Sequence, residues 1–321
     1  MKCLVLSLFA VIAACAEPAD GVFVPEPDDE EIDPADPPLD PDPLDTEEFT
    51  PSDEELAALP ELPTDDEALE IKARCPKRPA RLSPVGLTFV IHISKHEDEA
   101  GAALRQLKDV RRFIRARDIF MIERKAPVVA ALRRVFPCND FHFIAYPDEL
   151  DNAFALGKLV DGIAVDWEGA GVWSNPQSFS IDKLRGYAAK IHNRNQVAGL
   201  VPYWPNGFND GHIVNASNMN YELAQIQNRC ANDGAEAFAL SARSLIRNFR
   251  DNNLALRDFG AEISLSSFAF ADNHTGVDRS AACTRKAYGK GTRAIYLYGN
   301  GHPHYDKYFR RIARMGLRGA R

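Results

Sequence analysis

Two carboxylates stand one residue apart at the end of an apolar run in "DGIAVDWEG", Asp161 to Gly169. Side chains on a strand alternate between its faces, so Ala164, Asp166 and Glu168 share one side and Ile163, Val165 and Trp167 the other. The apolar set suits a buried face, and carboxylates are rarely buried without a purpose or a partner. Crowding two acids raises the pKa of at least one, which is what a general acid working near neutral pH requires. Asp166 and Glu168 are therefore the candidate catalytic pair. The competing chemistry is a divalent ion held by His92, Glu123, Asp166 and Glu168 for phosphoester hydrolysis. No spacing fixes such a set, so no metal site and no cofactor is assigned. A histidine on a strand is also commonly an interior one, and Glu123 precedes Arg124 and Lys125, which suits an ion pair.

A pair of this kind needs a scaffold that gathers strand ends. Eight short apolar runs follow Gly86, at 88–94, 119–124, 141–147, 162–168, 198–205, 223–229, 262–268 and 293–299. Nearly continuous apolar runs suit parallel strands covered on both faces. Amphipathic stretches lie between them, the clearest carrying Leu104, Leu107, Val110 and Ile114 at helical spacing. Others begin at Pro127, Ser180, Ala237 and His304, with Ser180 a candidate cap and Asp182 in its first turn. The link before the sixth run is loop-like. Eight strand–helix units in about 235 residues match a (β/α)8 barrel. The alternative, an open doubly wound sheet that binds a nucleotide, lacks a GxGxxG or GxxxxGK[ST] after its first strand. A barrel places its active site at the carboxyl ends of its strands, where Asp166 and Glu168 close the fourth.

The segments before the barrel are of other kinds. Residues 1–14 have a basic start and a short apolar run, and they end in small residues before Cys15, as an export signal does. The cysteine in that position resembles a lipoprotein lipidation site. This implies a lipid anchor at Cys15, in the outer membrane or at the surface of a bacterium. Residues 15–75 read as an extended acidic linker: Ala16 to Glu70 holds 22 Asp and Glu, 11 of the 21 prolines, and no Lys or Arg. Residues 76–321 are left for the barrel. From Ile71 on, 37 basic residues face 24 acidic ones, a net charge of +13 against −8 for the whole chain. A basic exported domain is attracted to anionic polymers or headgroups, and no nucleic-acid motif is present. Four cysteines remain in the exported part, and an even number in an oxidising compartment suggests disulfides. Of the three pairings, neighbours along the chain give Cys75–Cys138 and Cys230–Cys283.

"DGIAVDWE" resembles the strand-four signature D-x-x-D-x-D-x-E of the family 18 glycoside hydrolases, the chitinase and endo-N-acetylglucosaminidase group. Asp161, Asp166 and Glu168 match it, and Ala164 stands at the central Asp. "AQIQNR" is similar to that family's Gln-rich sixth strand. The resemblance implies that Glu168 protonates the leaving oxygen while Asp166 orients the substrate's N-acetyl group, whose oxygen attacks the anomeric carbon. Asp161, Tyr203, Trp204, Gln227, Tyr296 and Tyr298 would then contact sugar. The expected ligand is an N-acetylglucosamine-containing glycan, and the expected state is a monomer. Ala164 favours a second reading, a non-catalytic carbohydrate-binding or scaffold protein on the same barrel. "DWE" also resembles the D-x-E of the family 25 muramidases, with His92 where that family has Asp.

Overall fold

The computed structural model describes residues 64–75, 86–93, 107, 110–123, 126–167, 180–202, 215–227, 229–251, 259–264, 276–298 and 305–318. Within these, only the backbone is described at Asp65, Glu123, Ala126–Val128, Pro202, Phe249, Arg250, Phe259–Ser264, Tyr298 and Tyr305. Cys15, most of the acidic linker, Glu168, Tyr203 and Trp204 lie outside the described residues.

The eight expected strands form, all parallel, and close into a barrel in sequence order. They are β1 (Thr88–Ile93), β2 (Ile119–Glu123), β3 (Asp140–Ala145), β4 (Gly162–Trp167), β5 (Val197–Pro202), β6 (Tyr221–Ala224), β7 (Phe259–Ser264) and β8 (Ala294–Tyr298). The pairing register advances by about eight residues per circuit, the shear of this barrel class. The helices are α1 (Asp65–Arg74), α2 (Ala126–Val135), α3 (Leu150–Ala155), α4 (Ile181–His192), α5 (Gly234–Asp251), α6 (Val277–Gly289) and α7 (Tyr305–Arg314). Among the described residues, no helix is long and apolar enough to cross a membrane.

Two apolar layers result from strand alternation. Phe89, Ile91, Phe120, Phe141, Ile163, Val165, Trp167 and Leu200 face outward into the main core beneath the helices. Val90, Met121, Ile144, Ala164, Val201, Tyr221, Leu223 and Tyr296 fill the barrel interior. The cap at Ser180 forms as expected, its hydroxyl accepting the Lys183 N–H. Two strands start two or three residues earlier than their apolar runs, β6 at Tyr221 and β7 at Phe259. Helix α6 escapes periodicity because small residues make its buried face: Ser280, Ala281, Cys283, Thr284 and Ala287.

The linker reading needs one correction. Residues 65–74 were assigned to it by charge, yet they form α1, started by a Thr64–Glu67 capping box. Lys72 then bonds Asp140 at 2.6 Å and the Asn139 carbonyl at 2.8 Å. The Cys75–Cys138 disulfide ties the end of α1 to the start of β3, and Cys230–Cys283 joins the segment after β6 to α6. Both are the pairs of chain neighbours. Disulfides of this kind point to an oxidising, extracytoplasmic environment.

The amino ends of the strands are closed by side chains. Asp118, just before β2, is fully buried and accepts the Phe89 N–H of β1 at 2.9 Å. Arg318, from the chain's end, grips both its oxygens, donates to the Leu87 carbonyl at 2.6 Å and lies over the Phe89 ring. Breaking a buried pair strands a charge and costs about 3–5 kcal/mol. Asp118→Asn is therefore expected to lower unfolding stability in urea by about that amount, whereas Glu70→Ala, in an exposed α1 pair with Arg74, changes it by less than about 0.5 kcal/mol.

Tyr308 of α7 gives a pH dependence. It is fully buried and shares a 2.7 Å hydrogen bond with the Thr284 hydroxyl. Burial pushes its hydroxyl well above the ordinary tyrosine value. The folded protein thus keeps a proton that the unfolded chain releases near pH 10. Its contribution is intact below that pH and declines above it, by about 1.4 kcal/mol per pH unit. Alkaline denaturation curves of Tyr308→Phe should fall less steeply above pH 10 than those of the parent.

Candidate functional site

Asp166 is the last interior-facing residue of β4 whose side chain is described, and it is 6% exposed. It is placed there because Ile163, Val165 and Trp167 are all drawn into the outer core. Trp167 packs against Tyr187 of α4, with ring centroids 6.2 Å apart. The strand alternation read from the sequence is therefore the alternation observed. Across the ladder, Asp166 pairs with Val201.

The interior beneath it is shaped by two glycines. The His142 ring of β3 lies against Gly162, where an added Cβ would come within 3.0 Å of it. The Tyr221 ring of β6 crosses Gly199 of β5, where a Cβ would lie 2.1 Å from the ring. The two side chains meet in a 2.7 Å hydrogen bond between His142 Nδ1 and the Tyr221 hydroxyl. This buried polar pair was missed from sequence. Its signal was present as His142 at an alternating position of the third run, opposite glycines in the fourth and fifth.

Ala164 belongs to the same packing. It is fully buried, pairs with Ile144 on one side and Gly199 on the other, and joins the interior apolar cluster. A carboxylate at 164 would be buried among Ile144, Val201 and Tyr221, at a desolvation cost.

His92 on β1 and Tyr296 on β8 are each 2% exposed and meet edge to face, centroids 5.7 Å apart at 84°. Tyr296 thus leaves no open face for a sugar, because its position lies within the interior layer and not at the rim. Register sets the backbone of Glu262 of β7 beside Tyr296. On β6, Gln225 continues the alternation of Tyr221 and Leu223 and is 8% exposed. Gln227, the expected contact, lies beyond the strand and is half buried; among the described residues its Oε1 has no hydrogen-bond partner. The strand begins two residues before its apolar run, so Gln225 continues its interior alternation and Gln227 follows beyond it. A single π turn, Arg229–Asp233, follows at once, a feature frequent near functional sites.

Asp161 leaves the site altogether. It precedes β4, at the amino end, and about 16 Å of strand separates it from Asp166. Its carboxylate accepts Arg133 at 2.7 Å and the Phe141 N–H at 2.9 Å. Arg133 is 1% exposed and lies 4.5 Å over the Phe141 ring. The acid closes the barrel floor and cannot reach a ligand at the mouth. Of the other expected residues, Tyr298 ends β8, while the positions of Glu168, Tyr203 and Trp204 fall outside the described residues.

No family model and no curated protein matches the sequence. Among solved structures the chain is similar to a GH18 chitinase from Pseudoalteromonas aurantia, with TM-score 0.51 and 11% identity over 71% of this chain and 99% of that one. It is also similar to the HMG-CoA lyase from Brucella melitensis, with TM-score 0.49 and 9% identity over 73% of this chain and 92% of that one. A third is the PgaB (BpsB) glycoside hydrolase domain from Bordetella bronchiseptica, with TM-score 0.43 and 7% identity over 74% and 100%. Identities this low establish the barrel fold alone.

The interior packing is testable. Gly199→Ala is expected to displace the Tyr221 ring, break its bond to His142 and cost about 1–3 kcal/mol of stability. Tyr221→Phe keeps the ring and loses only the hydroxyl, so it should cost less than about 2 kcal/mol.

Proposed function

We propose that this chain is a glycoside hydrolase-like barrel acting on an N-acetylglucosamine-containing glycan by substrate-assisted retaining hydrolysis. The observation that supports this most is Asp166: a carboxylate buried to 6% exposure on the interior face at the carboxyl end of β4, two residues before Glu168. In the proposed reaction Glu168 protonates the glycosidic oxygen as the bond to the anomeric carbon breaks. Asp166 holds the substrate's N-acetyl N–H, so that the amide oxygen closes onto that carbon. Water then opens the cyclic intermediate with Glu168 as base. Gln225 and Gln227 supply amide contacts at the β6 end, with Tyr203, Trp204 and Tyr298 along the rim. The protein is exported, and Cys15 carries the lipid that holds it at the membrane.

One observation favours a second reading, a carbohydrate-binding protein without catalysis. Ala164 is buried in the apolar interior where the resembling signature has an acid, so Asp166 has no inner carboxylate on its own strand with which to share a proton.

Reducing-end release from chitin oligomers and from peptidoglycan separates the two. Release by the parent, with a loss of about 100-fold or more in Glu168→Gln, is the expected result. Asp166→Asn should lower kcat more than it raises KM. Retained binding of the oligomers with no release from any form would favour the binding protein, and equal release by parent and Glu168→Gln would remove Glu168 from its role.

A further inference from the structure

The floor of the barrel, opposite the mouth, is uneven in charge where β4 and β5 begin. The turn Gly157–Leu159 brings Lys158 to that end, and the close of α4 with the turn after it brings Lys190 and Arg194. Each of these side chains is exposed. Gln196 ties the two turns together, its Nε2 donating to the Gly157 carbonyl at 2.9 Å and to the Val160 carbonyl at 3.2 Å. Arg194 lies 3.8 Å over the Phe154 ring of α3 and donates to the Lys190 carbonyl at 3.0 Å.

No acid answers these cations. Among the described residues, none of Lys158, Lys190 and Arg194 is paired with a carboxylate, and the stretches 156–160 and 188–198 contain no Asp or Glu. Asp161, the acid that follows, is held by Arg133 at 2.7 Å and lies 3.9 Å from Lys72. At the mouth end of the same two units, the stretches 146–151 and 180–185 hold four acids against two cations. Val197, the first residue of β5, adjoins the basic turns: its N–H bonds the Asp161 carbonyl at 2.9 Å, and its side chain is 37% exposed. The dipole of α4 accounts for cations near its carboxyl end. It does not account for Lys158, on another turn, or for an apolar side chain left open beside them.

We propose that this patch docks the barrel on an anionic lipid surface. Lys158, Lys190 and Arg194 meet the negative headgroups, with their apolar stems laid against the interface. Val197 finds an apolar phase there, which a dissolved anion does not offer. A patch spread over two exposed turns fits a surface better than a small ligand. The net charge of +13 from Ile71 on adds to the attraction. Docking by the floor points the mouth, at the other end of the strands, away from the lipid, and it does not depend on the glycosidase reading.

Co-sedimentation with vesicles tests this, using the full chain with Cys15→Ser so that no lipid on the protein contributes. Vesicles of about 30% phosphatidylglycerol in phosphatidylcholine should hold half the protein by about 1 mM lipid at about 50 mM salt, and about tenfold less tightly at about 500 mM salt. Pure phosphatidylcholine should bind at least about 30-fold more weakly. The combined variant Lys158→Gln, Lys190→Gln, Arg194→Gln should lose about 100-fold, and Lys158→Glu alone about tenfold. Val197→Ser should lose about threefold. All sit at exposed positions, so melting temperatures should stay near the parent's. Arg194→Lys keeps the charge while giving up the Phe154 contact, and it should bind as the parent does. Poly-glutamate, at equal negative charge, should bind at least about tenfold more weakly than the vesicles. The proposal is overturned if neutral vesicles bind equally well, if both charge variants bind as the parent does, or if poly-glutamate binds as tightly as the vesicles, which would give the patch to an acidic peptide.

Discussion

A staggered barrel leaves backbone groups at its amino ends that the neighbouring strand has not yet reached. Each is buried against the helix layer, and an unpaired buried N–H is costly. This protein meets the constraint by one recurring device. The residue just before an even-numbered strand reaches back to the second residue of the preceding odd strand. Asp118 accepts from Phe89, Asp161 from Phe141 and Asn220 from Ala198, all at 2.8–2.9 Å. At two of them the reach is reciprocal: the N–H groups of Asp161 and Asn220 donate at 2.7 Å to the carbonyls of the same Phe141 and Ala198. Residues before the odd strands complete the floor as donors. Asn139 bonds the Arg115 and Asp118 carbonyls, and Gln196 the Gly157 and Val160 carbonyls.

The choice of acid or amide at these positions dictates the rest of the floor. Where the acceptor is a carboxylate, a guanidinium follows it inside and stacks on the aromatic ring whose N–H the acid holds. Arg318 does so over Phe89 and Arg133 over Phe141. Where it is Asn220, His192 supplies a hydrogen bond at 2.9 Å and no full charge is buried. The backbone need is the same in all three cases, so the arginines answer the charge and not the strand. The floor is also where the start and end of the described chain are held, through Lys72 and Arg318.

This division explains what could be read from the sequence and what could not. Alternation in "GIAVDW" was enough to send Asp166 inward and Trp167 outward, because each apolar residue of that run has the same demand for burial. The barrel, the Ser180 cap and both disulfides were legible for similar reasons: the signals are local or few in number. Asp161 was not, since an aspartate that closes a floor and one that faces a ligand are the same letters five positions apart. Only the strand's direction and the partner Arg133, 28 residues away, separate them. The place of Gln225 was not legible because the strand begins at Tyr221, whose ring lies against Gly199 on another strand. Helix α1 was hidden by charge, and what fixes it to the barrel, Lys72 and the Cys75–Cys138 bond, acts over more than sixty residues.

The same long-range packing bears on Ala164. Seen alone, it is a missing acid in a signature. Seen with Gly162 and Gly199, it is one of three small residues on β4 and β5 that make room for His142 and Tyr221. Interior volume is conserved tightly in close-packed cores, so two large rings on β3 and β6 require small neighbours between them. Among the described residues, the hydrogen-bonded His142–Tyr221 pair is accordingly a polar centre of this barrel interior. A carboxylate placed at 164 would compete with that pair for space and solvation.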